Sequence, residues 1–299
     1  MPLISVCLAV YNGEATLREA LESVRSQSFD DYELIVLDDG STDRSAEIAE
    51  EFGARVIRQR NAGLGAGRKK LVEEAIGDWI AFLDHDDVWT PDKLEKQMRA
   101  VAGDVVLIHS DCWYEYEDGK IVERNLKINN NAGSFDHILP SNDVIASSAI
   151  FRRETMLRAG NFVAETVRCS DWYGWFILAP NGRFIHLPEK QVRYRVLSTS
   201  LANAGVRFHE AKFFLLAKVI TPLLPVLFST LTPNEARRYS LMVRKDIGIA
   251  ASTLAKYLAQ EGRHEEARKY HRIALRMAPG VPRVWTRAVS SLSAKKGKT

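Results

Sequence analysis

Gly77–Leu94, GDWIAFLDHDDVWTPDKL, runs out of an apolar segment into three carboxylates, Asp84, Asp86 and Asp87, within four positions. Its first part reads as a buried strand. Two carboxylates about 5 Å apart repel by roughly 3 kcal/mol at an effective dielectric near 20. A chain keeps such a cluster cheaply where the loop is solvated, or where a cation sits among the acids. Beyond it Thr90 can cap a helix with Pro91 at the first position, carrying Leu94, Met98 and Val101 inward. Strand, acidic loop and helix make one β-α unit, with its polar loop at the carboxyl end of the strand.

The same unit recurs on the amino-terminal side. Ile4–Val10 is a short apolar run followed by Leu17, Ala20, Leu21 and Val24 at helical spacing. YELIVLDDGS (32–41) is a second strand, and RSAEIAEEFG (44–53) a helix closed by Gly53. ARVIRQ (54–59) is a third strand, with a helix over about 64–76, and DVVLIHS (104–110) is a fifth. Repeated units of this kind predict an α/β protein with a mainly parallel sheet flanked by helices. Ligands of such sheets bind outside the carboxyl ends of the strands. Tyr11-Asn12-Gly13, Asp38-Asp39-Gly40-Ser41, NAGLGAG (61–67) and Asp84–Asp87 all fall there.

The remainder of the chain is less regular. With 299 residues it exceeds a typical single domain, and 46% hydrophobic content excludes a disordered composition. Cys7, Cys112 and Cys169 are odd in number and far apart, which suggests reduced thiols in a cytoplasmic setting. MPLISVCLAVYN lacks a basic segment before its apolar run and reads as a strand, not a signal peptide. A hairpin is expected around Asp118-Gly119, a polar loop over 126–135, and a strand and short helix ending near Gly160. After Ser200 helices dominate. Phe213–Leu231 is apolar but interrupted by Lys218, Pro222 and Pro225, which favours a core or interfacial segment over a membrane span. Residues 251–280 resemble one tetratricopeptide hairpin turning at Glu261-Gly262. Such repeats need about three units to bury a core, so this one should pack on the main domain or on a second subunit.

The net charge of +3 hides an asymmetry. From Ala267 onward there are nine basic residues (Arg268, Lys269, Arg272, Arg276, Arg283, Arg287, Lys295, Lys296, Lys298) and no acid. The preceding residues carry 32 basic against 38 acidic side chains. A negative body with a positive tail suggests two separate tasks.

Asp84 and Asp86 offer hard oxygen ligands suited to Mg²⁺ or Mn²⁺, ions that keep waters and share substrate phosphates. The plain alternative is a solvated loop that starts a helix. Asp39 could accept the ring N–H of a nucleobase, or serve as a turn and cap residue. NAGLGAGRKK (61–70) supplies backbone N–H groups at a helix start, with Arg68 as a phosphate neighbour. It lacks the Gly-Lys-Ser/Thr ending and does not follow the first strand, which excludes the ATPase and dinucleotide fingerprints. His109, His137, His186, His209, His264 and His271 show no ligand spacing and read as structural or surface residues. Among Trp113, Trp172 and Trp175, only Trp172 is singled out as a stacking surface for a sugar.

Taken together, residues 4–45, NAGLGAGRKK and GDWIAFLDHDDVWTPDKL resemble the nucleotide-sugar half of family 2 glycosyltransferases, which have the GT-A fold. The resemblance covers Pro2 to about Met98, weakens through the middle and says little after Ser200. It implies an inverting transfer from a nucleotide-diphosphate sugar, UDP-sugars foremost, assisted by Mn²⁺ or Mg²⁺. By position it implies that Val10 and Tyr11 border the base and Asp39 hydrogen-bonds it, with Gly65 and Arg68 in the donor-binding glycine-rich loop. The Asp-x-Asp (DXD) motif falls on Asp84, His85 and Asp86, with Asp86 the metal ligand and Asp84 serving ribose or metal. The base would be Asp171 in CSDWYGWF (169–176), preceded by Ser170 where the family has a second acid. An apolar aromatic setting would raise its pKa toward a useful value; the alternative is a helix-capping carboxylate. Trp172 would face the acceptor. Arg193, Arg195 and Ser198 would close over the phosphates, with Val196 and Leu197 where many relatives carry a histidine.

The expected organisation is a GT-A domain over 1–205, with a nucleotide-sugar half (1–100) and an acceptor half (101–205), then a helical extension over 206–299. The acceptor would be a carbohydrate or lipid-linked hydroxyl in cell-surface polysaccharide or glycan synthesis. The basic tail suggests peripheral contact with the inner face of an anionic membrane, and the extension suggests a homodimer. Nucleic acid has only the tail to recommend it. A nucleotidyltransferase is disfavoured because AVYNGEATL (9–17) does not look like its basic glycine-rich loop. A non-catalytic sugar-nucleotide scaffold is disfavoured by Asp39, Asp84, Asp86 and Asp171.

Overall fold

The computed structural model describes residues 3–139, 141–166, 168–198 and 205–293. The chain divides into two units, Met1–Ile138 with Asn142–Ser198, and Leu139–Ser141 with Thr199–Thr299.

In the first unit β1 (Ile4–Val10) is covered on both faces, which is why its sequence is continuously apolar and not alternating. α1 (Glu14–Arg25) turns Leu17, Ala20, Leu21 and Val24 inward against it. β2 (Tyr32–Asp38) pairs parallel to β1, α2 (Ser45–Glu51) follows, and β3 (Arg55–Arg58) pairs parallel to β2. α3 (Leu64–Glu74) then leads to β4 (Trp79–Phe82), parallel to β1 on its other side. In the order β3-β2-β1-β4 the progression reverses at β1, so a switch point falls between the carboxyl ends of β1 and β4.

Past β4 the structure departs from a simple continuation. β5 (Val88–Trp89) forms inside the acidic segment, and α4 (Lys93–Arg99) starts with Asp92, not Thr90, at its cap position. The cause is sheet pairing: the Thr90 N–H donates to the Gln191 carbonyl, and its hydroxyl turns to Asp92. Leu94 is fully buried on α4, with Met98 and Val101 partly so. β6 (Val105–Tyr116) runs well beyond DVVLIHS before the expected hairpin to β7 (Ile121–Arg124). β8 (Ile150–Arg152) inserts antiparallel between β4 and β6, followed by α5 (Arg153–Arg158). α6 (Ser170–Leu178) precedes β9 (Arg183–Val196), parallel to β6 and antiparallel to β5. The sheet is therefore parallel across β3-β2-β1-β4 and mixed beyond. All three cysteines are free and buried.

The second unit is helical: α7 (Val206–Phe214), a π-helical turn over Leu215–Ile220, α8 (Thr221–Leu227), α9 (Pro233–Gln260), α10 (His264–Met277) and α11 (Pro282–Ser293). The Phe213–Leu231 segment is thus broken, and no helix among the described residues is long and apolar enough to cross a membrane. α9 opens on a reciprocal cap between Thr232 and Glu235 with Pro233 at its first position. The α9–α10 hairpin turns at Gly262, whose φ of +80° suits glycine. Part of the hairpin's core is supplied by its neighbours within this unit. Val206 and Phe213 of α7 pack against Leu254, Leu258 and Ala267, and Val284 of α11 packs against Ala251, Ala274 and Ala278. Thr199, Ser200, Lys295, Lys296 and Lys298 lie outside the described residues.

Candidate active site

The rim loops are bound to one another by side chains acting on backbone. The backbone N–H of Asn12 donates to Ser41 Oγ, that of Gly13 to Ser45 Oγ and that of Glu14 to Asp43, while Asn12 Oδ1 accepts from the Thr42 N–H. Asp39 organises the third loop. Its Oδ1 accepts from Gln59 Nε2 (2.7 Å) and the Ala62 N–H (2.9 Å), and its Oδ2 from the Gly63 N–H (2.8 Å). Three donors leave Oδ2 with room for a fourth, since a carboxylate has about four acceptor positions. Val10 is buried beneath this loop set, whereas Tyr11 stands 50% exposed.

The fourth loop separates its three acids. Asp87 is fully buried, accepting from Ser147 Oγ and from the Arg195 N–H. Burial first, then Asp86 and Asp84, push its pKa well above the carboxylate range. Asp87 is therefore the structural acid, holding β9 and the 147 segment to the loop. Asp86 is raised as well, by burial and then by Asp84, with His85 and Arg195 opposing. His85 Nδ1 lies 3.0 Å from Thr16 Oγ1, tying this loop to the first.

Asp84 Oδ1 accepts from Arg68 Nη2 at 2.9 Å, and Arg68 Nη1 donates to Ser170 Oγ at 2.9 Å. Arg68 is 3% exposed and its guanidinium lies over the Phe82 ring, 5.2 Å from the centroid. One buried cation thus joins the acidic loop to the start of α6. Asp171 sits in the first turn of α6, with Cys169 at the cap position, so it is not the capping residue. Its Oδ2 accepts from Asn142 Nδ2 at 2.7 Å. Burial raises its pKa, against the pull of Arg68, the Trp172 backbone N–H and Asn142.

Other expected site residues have packing roles. A Cβ on Gly65 would stand 2.5 Å from the Val163 carbonyl oxygen, so close packing alone requires glycine there. Trp172 is 2% exposed with its indole N–H donated to the Ile138 carbonyl, and it offers no ring face to an acceptor in this conformation. Arg193 and Arg195 both pair with Glu19, and Glu115 lies within 4 Å of each. Ser198 donates to Glu117 through both its N–H and its hydroxyl. Sequence reasoning missed Ser147, Asn142 and the roles of Ser170 and Asp87, because each acts across the fold on a residue far away in the chain.

The donor chemistry fits a hard divalent ion. Asp84 keeps Oδ2 free of Arg68, Asp86 has no side-chain donor among the described residues, and their mutual repulsion is what a cation would relieve. Among the described residues no three His, Cys, Asp or Glu side chains form a metal cage. The protein would thus supply two ligands, leaving the others to water and to a substrate's phosphates.

A switch-point crevice with these loops belongs to the GT-A class of α/β folds. Staphylococcus aureus TarS, residues 1–349 in complex with UDP-GlcNAc, matches with a TM-score of 0.63 at 15% identity, covering 99% of this chain and 93% of that one. The mannosyltransferase PcManGT from Pyrobaculum calidifontis, in complex with GDP-Man and Mn²⁺, matches with a TM-score of 0.60 at 18% identity, covering 99% and 88%. The chain belongs to glycosyl transferase family 2, whose model matches residues 5–157. TuaG of Bacillus subtilis, named for teichuronic acid biosynthesis, is 38% identical over 217 residues, 68% of this chain and 82% of that protein. EpsH of the same organism, named as a glycosyltransferase, is 41% identical over 131 residues. That match takes in 42% of this chain and 38% of EpsH, so well over half of EpsH has no counterpart in the aligned region.

Proposed function

We propose that the chain transfers a sugar from a nucleotide diphosphate to an acceptor hydroxyl with inversion at the anomeric carbon. The observation that carries this reading is the joint made by Arg68, which holds Asp84 and the Asp171-bearing start of α6 to one buried guanidinium. Asp171, kept basic by burial and oriented by Asn142, removes the proton from the acceptor hydroxyl. The freed oxygen attacks the anomeric carbon on the face opposite the diphosphate, which departs with the electron pair of the broken C–O bond. Asp86 and the free oxygen of Asp84 would hold Mn²⁺ or Mg²⁺, whose contribution when bound is to offset charge on the departing diphosphate. Asp39 Oδ2 accepts a ring N–H of the base, and exposed Tyr11 flanks that ring. The helix start at Gly63–Arg68 lies toward the phosphates, and Arg195 would reach them by exchanging Glu19 for a phosphate oxygen.

A UDP-sugar donor is supported by the UDP-GlcNAc bound to TarS, and a role in polysaccharide synthesis by the name of TuaG. Two variants test the reading. Asp86→Ala should abolish metal-dependent donor binding, and Asp171→Asn should bind donor normally yet lose transfer. Normal transfer by Asp171→Asn would remove Asp171 as the base.

A further inference from the structure

The second unit carries a charge imbalance. Residues 205–293 hold 15 Lys and Arg against six Asp and Glu. Part of that excess gathers where α9, α10 and α11 meet. Arg244 Nη2 of α9 donates to the Arg276 carbonyl at the end of α10, 3.2 Å away. Trp285 Nε1 of α11 donates to the Pro279 carbonyl, 2.7 Å away, which places the indole beside that same end of α10. Val284 of α11 packs with Ala251 of α9 and Ala274 and Ala278 near the end of α10, which sets the start of α11 against both helices. Arg244, Lys245, Arg276 and Arg283 are all exposed, and none has a carboxylate at ion-pair distance among the described residues. Asp246, the acid nearest this surface on α9, is buried. It is 3% exposed, and burial pushes its pKa up to about 7.

Two apolar side chains share the surface. Trp285 is 49% exposed, and Leu241, one turn before Arg244 and Lys245 on the same face of α9, is 56% exposed. The indole N–H already has its acceptor, so burying the ring elsewhere would leave no donor unsatisfied.

We propose that this surface, formed by Leu241, Arg244, Lys245, Arg276, Arg283 and Trp285, docks the protein peripherally on an anionic lipid bilayer. Cations attract the acidic headgroups, while the indole and leucine enter the headgroup boundary where amphipathic rings settle. A purely acidic polypeptide would satisfy the cations but give the two apolar side chains nothing to enter. The binding is peripheral, since no described helix can span. It is carried by folded helices rather than by the last six residues, and it stands whether or not the sugar-transfer reading holds.

Co-sedimentation of the full chain with vesicles tests it, comparing phosphatidylcholine alone with vesicles containing about a third phosphatidylglycerol. Binding is expected only to the anionic vesicles and should weaken steeply with added salt. The triple variant Arg244→Gln/Arg276→Gln/Arg283→Gln should bind roughly a hundredfold more weakly, because each cation near an anionic surface is worth about fivefold. Trp285→Ala should weaken binding and keep the salt dependence, and an unchanged helical circular dichroism spectrum would show that both variants fold. Equal binding to both vesicle types, absent binding, or binding unaffected by the triple variant would overturn the proposal. Capture of polyglutamate or nucleic acid without vesicle binding would overturn it too, in favour of a polyanion site.

Discussion

Arg68 Nη2 lies 2.9 Å from Asp84 Oδ1, a part-buried contact between the first turns of α3 and the fourth rim loop that continues through Ser170 into α6. Removing one member of a buried ion pair strands the other and costs roughly 3–5 kcal/mol. Asp84 is 32% exposed, which places Arg68→Met near the lower end, about 3 kcal/mol by denaturant unfolding. Arg68→Lys should recover only part of this, since one ammonium cannot reproduce a fork that reaches Asp84 and Ser170 together. Full recovery by lysine would show that charge, and not geometry, is what this position supplies.

Asp171 has a raised pKa, and its consequence has a definite sign. Below that pKa the carboxyl is protonated and cannot accept the acceptor's proton, so kcat/KM should rise with pH through it. The acid limb is therefore expected above the ordinary aspartate value of about 3.9. Asp171→Asn should lower the rate by about 10²–10⁴-fold and abolish that limb. A limb that persists unchanged in the variant would assign the titration to another group.

Asp39→Asn tests the third loop. The amide has one acceptor oxygen and an NH₂ group, which must oppose either the Gly63 N–H or the Gln59 and Ala62 donors. A loss of about 1–3 kcal/mol in unfolding free energy is expected, together with weaker donor binding.

Two buried histidines, His109 and His137, make an acid-labile element. His109 Nε2 and His137 Nδ1 are 3.0 Å apart, and His186 hydrogen-bonds Asp111. Burial pushes His137 down to about 4 and His109 well below its usual value. The folded state thus resists protonation that the unfolded chain accepts. Stability from these groups is intact above about pH 6.5 and is lost as pH falls toward 4, by up to about 3 kcal/mol for His137. Urea midpoints measured between pH 7 and 5 should fall in wild type and fall less in His137→Phe.

The histidine cluster also shows where sequence reading stops. Spacings of 28 and 49 residues carry no local pattern, and only the β6–β9 register brings His109 opposite His186. β1, β2 and β4 were legible because strands covered on both faces are apolar throughout, and their rim loops follow at fixed offsets. β8 was legible as the strand ahead of a short helix, whereas β5 was not, being two residues long and defined wholly by its partner β9. The same holds within the site. Asp84 and Asp86 stand out by their spacing, but Asp87 differs from them through burial, Ser147, 60 residues away, and the Arg195 N–H. Ser170 looked like a missing acid and is instead the hydroxyl that anchors Arg68.

Glycosyl transfer itself is tested most directly by donor turnover. UDP-, GDP- and dTDP-sugars would be incubated with the folded chain in Mn²⁺ or in chelator, and nucleotide release followed. Release from one donor, UDP-linked in the first instance, that depends on Mn²⁺ and is lost in Asp86→Ala is the expected result. No release from any donor by the folded wild-type chain, or release indifferent to chelator and to Asp86→Ala, would contradict it.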